Sequence, residues 1–411
     1  MRVSLLISFI LLAVNIFADI YIMRRLPQSF RKGWRRVTVW SVNTAVYLLF
    51  AVLIVFIYMK HFELLSDYLE IIMLAFFMIC LPKIVFLLIS PLDFVPKLFG
   101  AKRFHIFTSV SAAIAFILPF ILLYGALVVR KNIVFNKVDI VSDRLPRSFD
   151  GYKIVQISDL HLKTIYGDTA FLTSMVDSIN SLNPDLICFT GDLVTLRTDE
   201  MYPYIKQLSR LRAKDGVYSI LGNHDYGDYV NWSTPEDKQR NMDEFIALQG
   251  EMGWKLLMNE SAVLVSESDT VPLIGVENWG KPPFSQYGDL HASYDSLYDD
   301  KYKILLSHNP EYWNTVLNES NIDLTLSGHI HAMQMKIKLM NSYYSPAEII
   351  NDRWSGKYTS GKQTLYINDG IGCTLFPVRL GAYPEVTVIT LRKNKRVKNL
   401  LSITFPALMV L

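Results

Sequence analysis

"LGNHDY", residues 221–226, continues the apolar run Val217-Tyr218-Ser219-Ile220 and then sets Gly, Asn, His and Asp in a row. A run that apolar and β-branched reads as a buried strand. Strand interiors disfavour Asn and Asp. At the C-terminal end of a strand, however, such side chains converge on the crevice where open α/β sheets hold their ligands. The stretch is therefore a candidate site.

Four other strand-like runs end in the same way. "KIVQIS" (153–158) leads into Asp159-Leu160-His161, and "DLICFT" (185–190) into Gly191-Asp192. "YKILLS" (302–307) leads into His308-Asn309, and "IDLTLS" (322–327) into Gly328-His329-Ile330-His331. Five of the chain's eight histidines stand in these blocks, which leaves only His61, His105 and His291 elsewhere. One Asp-x-His alone would be a turn or a cap. Several carboxylates and imidazoles buried side by side are costly unless cations neutralise them. Oxygen and imidazole ligands without thiolate suit Mn, Fe, Zn or Mg. They are too many for one ion, so two ions sharing a carboxylate are expected, roughly 3.5–4 Å apart as in phosphoryl-displacing clamps. Gly191, Gly222 and Gly328 are expected to turn the backbone sharply towards the ions.

The ordered blocks Asp-x-His, Gly-Asp, Gly-Asn-His-Asp, His and Gly-His-x-His resemble the calcineurin-like metallophosphoesterase superfamily over roughly residues 150–391. The resemblance implies that Asp159, His161, Asp192 and His331 hold one metal. It implies that Asp192, Asn223, His308 and His329 hold the other, with Asp192 bridging. His224 would contact the phosphate and protonate the leaving oxygen, and Asp225 would orient His224. Two divalent ions would activate a water held between them and stabilise the charge of in-line attack. The run from Gly328 to Gln334 and the segment at 366–391 are similar to a YkuE-type branch of membrane-anchored or exported bacterial phosphoesterases. Two positions depart from that branch: Ala332-Met333 replaces its usual Gly-Gly, and Asp369 stands where it often has Arg.

The other strand-like runs are 216–221, 271–276, 363–368 and 385–391, and helix-like stretches lie at 168–182, 199–212 and 236–250. Alternating strands and helices give an α/β layer fold. The resemblance makes it a four-layer α/β/β/α sandwich over 151–411. Aromatics crowd its loops at Tyr226, Tyr229, Trp232, Trp279, Phe284, Tyr287, Tyr343, Tyr344, Trp354 and Tyr358. They read as loop packing, with an amphipathic rim for a lipid or nucleotide substrate as the alternative.

Half of the 411 residues are hydrophobic, and the apolarity concentrates in the first third. Runs at 3–23, 37–59, 69–90 and 104–129 are each long enough to cross a bilayer as a helix. Arg24-Arg25 follows the first run with no small-residue cleavage site, which argues against a cleaved signal peptide. The expected organisation is a four-helix membrane region over 1–130, a linker over 131–150 and the catalytic domain. The first loop carries Arg24, Arg25, Arg31, Lys32, Arg35 and Arg36 with no acid. The second sets Lys60 and His61 against Glu63 and Asp67, and the third sets Lys97, Lys102 and Arg103 against Asp93. The positive-inside rule then keeps loops one and three in the cytoplasm and puts the catalytic domain outside it. Arg130 and Lys131 are the weaker contrary signal. Lys83, beside Pro82, reads as a lysine snorkelling to the end of its helix rather than as a polar site, and the runs show no paired charges.

The net charge of +3 carries no nucleic-acid footprint. Cys80, Cys188 and Cys373 are scattered, so neither a disulfide framework nor a cysteine metal site is expected. The expected function is a membrane-anchored phosphoesterase acting on a phosphomonoester, phosphodiester or pyrophosphate, with a lipid-linked or envelope substrate. The opposite orientation would make it a cytoplasmic lipid-nucleotide pyrophosphatase. A transporter or sensor with a ligand-binding domain is the third reading; missing metal ligands would support it, and none is missing.

Overall fold

The computed structural model describes residues 5–394 apart from 27, 60–65, 101, 103, 283, 295–297 and 341. Lys60, His61, Glu63 and Arg103 of the loop-charge count, and the end of the expected catalytic domain, lie outside the described residues. The apolar runs form α1 (Leu5–Arg25), α3 (Gly33–Tyr58), α4 (Ser66–Ile89) and α5 (Ile106–Leu127), with the short α2 (Gln28–Arg31) in the first loop. All four long helices have the length and apolarity to cross a membrane, and most of each is bare, as a lipid-facing helix is.

Lys83 corrects the sequence reading. Its Nζ lies 2.9 Å from Asp19 on α1 and donates to Asn43 Oδ1 at 2.9 Å and Tyr47 Oη at 3.0 Å on α3. The tyrosine in turn donates to Asp19 at 2.5 Å. Each helix brings one charge or amide, so the pairing exists only between helices. It ties α1, α3 and α4 together where an isolated charge would be costly.

The soluble part adds α6 (Thr169–Ser181), α7 (Ile205–Leu208), α8 (Pro235–Glu251), α9 (Leu290–Ser293) and α10 (Trp313–Glu319). Its strands are β1 (Val134–Ser142), β2 (Lys153–Ile157), β3 (Leu186–Phe189), β4 (Val217–Ser219), β5 (Trp254–Leu256), β6 (Glu260–Ser266) and β7 (Asp269–Gly275). They continue with β8 (Ile304–Leu306), β9 (Leu324–Ser327), β10 (Ile337–Leu339), β11 (Ser342–Tyr344), β12 (Gly356–Ser360), β13 (Gln363–Ile367) and β14 (Glu385–Lys393). One sheet runs β1-β14-β2-β3-β4-β5 and the other β12-β13-β9-β8-β7-β6. Ile154, Leu186, Tyr218 and Ile389 of the first sheet meet Leu273, Ile304, Leu324 and Tyr366 of the second. Leu172 and Val176 of α6 and Phe245 of α8 cover the first sheet outside, and Trp313 and Val316 of α10 cover the second. These are the four expected layers.

Residues 131–150 are not a free linker. β1 lies parallel to β14 over nine residue pairs, from Val134–Glu385 to Ser142–Lys393, so the last membrane helix feeds straight into the sheet edge. The helix expected over 199–212 is broken into a short 3-10 turn at Thr198–Met201 and α7. Pro203 lies between them and cannot donate a helical hydrogen bond.

The domain rests on the helix bundle through the loops at its site end. Leu196, Val230 and Leu375 pack with Phe50 and Leu53 of α3 and Phe76 of α4. Phe376 meets Phe77 with ring centroids 4.7 Å apart, and Val378 packs on Leu122 and Ala126 of α5. Arg130 links Glu70 of α4, at 3.3 Å, to the carbonyl of Thr164, at 2.5 Å, and Tyr166 donates to the same glutamate.

Candidate metal centre

The five polar blocks sit at the C-terminal ends of β2, β3, β4, β8 and β9, so parallel strands in two sheets aim them at one place. Oδ1 of Asp192 accepts the His224 amide at 2.8 Å. Its Oδ2 lies 3.2 Å from His308 Nε2 on one side and 3.6 Å from His161 Nε2 on the other. On the His161 side, His331 Nε2 lies 3.0 Å from Asp159 Oδ1 and 3.2 Å from His161 Nε2. On the His308 side, His329 Nδ1 lies 3.2 Å from His308 Nε2. Donor atoms of Asp159, His161 and His331 fall within 4.8 Å of one another, and so do those of Asp192, His308 and His329. A third such group, of His161, Asp192 and His224, joins the two. Asp159, His161, Asp192, His224, His308, His329 and His331 are thus brought together, and Asp225 hydrogen-bonds to the backbone of the Asp192 turn behind them.

The donor chemistry fits cations. His308 Nδ1 donates to the Thr190 carbonyl at 2.7 Å, so it is Nε2 that offers a lone pair to a metal once its proton is displaced. Imidazole nitrogens 3.2 Å apart, as in His161–His331, present lone pairs to each other unless a cation or proton lies between them. Asn223 donates its amide to Tyr229 Oη at 2.8 Å, while its buried Oδ1 has no protein partner. An orphaned buried oxygen is the atom a metal ligand would offer. These residues can therefore hold metal.

The electrostatics are those of a dry site. Burial holds the His161 imidazole well below the ordinary histidine range, and burial with the neighbouring His308 charge takes His329 down to about 3. Burial would also lower His308, but the Asp192 carboxylate beside it raises it to about 9. Burial would raise Asp159 and Asp192, yet His331 and His308 respectively hold their carboxyls below the usual range. Such shifts in one crevice mark a functional site more often than a structural one.

Backbone geometry supports the cluster at some expense. Asp159, His161, Asp192, His329 and His331 all take positive φ, from 43° to 74°, in the left-handed region. Residues outside glycine visit that region rarely, and strain of this kind concentrates at functional sites. The three glycines do different work from that expected. Only Gly191 has positive φ, at 93°. Gly222 and Gly328 are needed for closeness: a Cβ on Gly222 would lie 2.1 Å from Asp192 Oδ1, and one on Gly328 2.2 Å from Asp159 Oδ2. Neither carboxylate could keep its place beside alanine.

Asp225 does not orient His224. Its carboxylate accepts four backbone amides, from Asp192 at 2.9 Å, Leu193 at 2.8 Å, Val194 at 3.1 Å and Gly222 at 2.8 Å. It thereby clamps the Asp192 turn to the Gly222 turn. The partner of His224 is instead the Thr195 carbonyl, 2.7 Å from Nδ1. Asp225→Ala should strand four buried donors, at about 1–3 kcal/mol for each left unsatisfied. A loss of several kcal/mol in unfolding free energy is the expected result, read by denaturant titration, with His224→Ala close to wild type in the same assay.

Sequence reasoning passed over Arg379. It is fully buried, donates to the carbonyls of Asp369, Gly372 and Ala382, and sets Nη2 3.2 Å from His331 Nδ1. A charge inside the apolar run Phe376–Leu380 was its one visible signal. Of the loop aromatics, Tyr226 and Trp354 are buried packing residues. Tyr229 and Phe284 instead reach the site, with ring centroids 4.5 Å from His224 and 4.9 Å from His329.

Comparison with known proteins agrees with this geometry. The family model for calcineurin-like phosphoesterases matches residues 152–333. The metallophosphoesterase YkuE of Bacillus subtilis is 31% identical over 263 residues, covering 62% of this chain and 84% of that protein. The transmembrane protein with metallophosphoesterase domain of Bos taurus is 28% identical over 268 residues, covering 62% of this chain and 56% of that protein, so the chain spans little more than half of that relative's length. The UDP-2,3-diacylglucosamine pyrophosphatase LpxG of Chlamydia muridarum is 28% identical over 297 residues, covering 60% of this chain and 86% of that protein. At 31% identity across 84% of the Bacillus subtilis relative, and with four helices fit to cross a membrane, the chain belongs to the calcineurin-like phosphoesterase family and is a membrane-associated hydrolase of phosphoester bonds.

Proposed function

We propose that the protein uses two divalent ions to hydrolyse a phosphomonoester, phosphodiester or pyrophosphate in a lipid-linked or envelope substrate outside the cytoplasm. The observation that carries the two-ion reading is the position of Asp192 Oδ2 between His161 Nε2 and His308 Nε2. Asp159, His161, Asp192 and His331 would hold one ion, and Asp192, Asn223, His308 and His329 the other. Such ions activate water and stabilise phosphoryl charge. This chain's own groups do the rest. His224 stands at the rim with its ring centroid 4.8 Å from that of His161. The Thr195 carbonyl accepts a hydrogen bond from Nδ1–H, so Nε2 is the atom that would hold or pass a proton to the leaving oxygen. Tyr229 and Phe284 flank the crevice, against His224 and His329 respectively.

The lipid-linked substrate is favoured because the loops that carry the site, at 192–196 and 229–232, rest on α3 and α4. A phosphoester at the headgroup level would lie close to the metals. The test is turnover of a panel of soluble and lipid-linked phosphoesters by detergent-purified protein loaded with Mn. Activity on none of them would refute the reading.

A second reading keeps the chemistry and reverses the membrane: a cytoplasmic pyrophosphatase of a lipid-nucleotide. Likeness to the LpxG relative favours it. The basic first loop favours the outside, since short basic loops are retained in the cytoplasm. A C-terminal reporter active only outside the cytoplasm is expected to work, and a paired reporter active only inside is expected to be silent. The reverse result would select the pyrophosphatase reading.

A further inference from the structure

β10 and β11 form a ribbon that pairs with no other strand among the described residues. All six of its strand residues are exposed. Ile337, Leu339, Tyr343 and Tyr344 are among them, and Met340 at the turn is 96% exposed. Ile349 and Ile350, a few residues on, are 87% and 74% exposed. A lone two-stranded ribbon is marginal in water. This one bares Ile337, Leu339 and Tyr344 on one face and Tyr343 beside Lys338 on the other, which marks a contact surface rather than a solvated loop.

The base of the ribbon is fixed where the domain meets the membrane helices. The Lys336 amide donates to the Leu380 carbonyl at 2.8 Å, and Met335 bridges to Leu380 and Gly381. Leu380 packs on α5, where a Cβ on Gly125 would lie 2.8 Å from its side chain. The bare apolar surface resumes on α5 itself, at Phe120, Tyr124 and Leu127. Charge agrees with this placement. Lys336 and Lys338 set Nζ 4.9 and 5.6 Å from the centre of the Tyr343 ring. Long-stemmed lysines among tyrosines and aliphatics are the composition found at the headgroup level of a bilayer.

We propose that the β10–β11 ribbon, with Ile349 and Ile350, inserts into the interface of the bilayer that α1, α3, α4 and α5 cross, as a second membrane contact beside the mouth of the metal site. The ribbon leaves the domain directly after His331 and Gln334. Two contacts hold it there: Lys336 Nζ lies 2.8 Å from Asp369, and Ser345 donates to the Ala332 carbonyl at 2.7 Å. An acyl chain on a substrate bound at the metals would lie against it. That last step rests on the lipid-linked reading, whereas the insertion itself rests only on the membrane helices.

Insertion is tested with the full chain in nanodiscs of phosphatidylcholine, with and without phosphatidylglycerol. The three native cysteines are buried, so Met340→Cys and, as a second site, Leu339→Cys can each be labelled with an environment-sensitive fluorophore. Glu267→Cys, exposed in the β6–β7 turn at the end of its sheet away from the site, is the control. Emission from both ribbon labels is expected to shift to the blue and to be quenched by doxyl-labelled lipid, with no change at the control. Water-like emission without quenching at both ribbon positions would overturn the proposal, even if the enzyme acts on lipid-linked substrates. Blue-shifted emission that doxyl lipid does not quench, with disulfide-linked dimers of Met340→Cys, would assign the ribbon to a second copy of the chain and would equally overturn it. Quenching without any lipid-linked turnover would uphold the insertion and refute only the substrate class.

Discussion

Asp192→Asn is expected to release bound metal and to lower turnover by more than about 10³-fold, which corresponds to roughly 4 kcal/mol of lost transition-state stabilisation. The reason lies in how both carboxylate oxygens are used. One accepts the His224 amide at 2.8 Å, and the other faces the imidazoles of His161 and His308. An amide can serve only one of these. With its oxygen towards the imidazoles, its NH₂ meets the His224 N–H donor. With the amide reversed, the NH₂ points at the cations. Metal content by mass spectrometry and turnover of a nitrophenyl phosphodiester check the prediction together. Full metal occupancy with wild-type turnover would remove Asp192 from the bridging position.

His224→Ala is expected to keep the metals and to lose about 10²–10⁴ in rate, the usual range for a general acid. In the proposed centre His224 belongs to neither ligand set and is tethered by Nδ1 to the Thr195 carbonyl, so its loss would remove a proton-handling group rather than a ligand. The deficit should therefore depend on the leaving group. Alkyl phosphoesters need a proton on the departing oxygen, and nitrophenolate scarcely does. Rates across a series of leaving groups give the test, and a loss that is equal for good and poor leaving groups would contradict the role.

The site was legible because its chemistry follows local rules. Each proposed ligand block stands immediately after an apolar run, and the eight runs recognised in the sequence all form strands, including β2, β3, β4, β8 and β9. The sheet edges were less visible. β1 is half exposed, so its sequence VFNKVDIVS lacks the continuous apolarity of a central strand and looks like a connection. β5 is only three residues long. Pairings between distant segments left no local trace at all. Asp19 and Lys83 lie on different helices, and Arg379 reaches His331 from another loop. Asp225 was misread for a related reason. The resemblance implied a partnership with His224, but the turn points the carboxylate back into the Asp192 loop, where it accepts four amides.

The departure at Asp369 also becomes intelligible. Its carboxylate pairs with Lys336 at 2.8 Å, and its carbonyl accepts from Arg379. Basic charge near the site is thus supplied by side chains from neighbouring segments, one of them the root of the β10–β11 ribbon. Two of the loops beside the proposed centre, at 192–196 and 229–232, also rest on α3 and α4, and Tyr229 both packs there and flanks His224.

In the proposed hydrolytic centre one carboxylate, Asp192, joins two cations. The most direct test is the metal stoichiometry of the purified full-length protein, measured alongside turnover as Mn is removed by chelation and titrated back. Two ions per chain at saturation, no turnover in the stripped protein, and recovery of activity only as the second ion binds are the expected results. Saturation at a single ion, or turnover that survives complete stripping, would contradict the proposed centre.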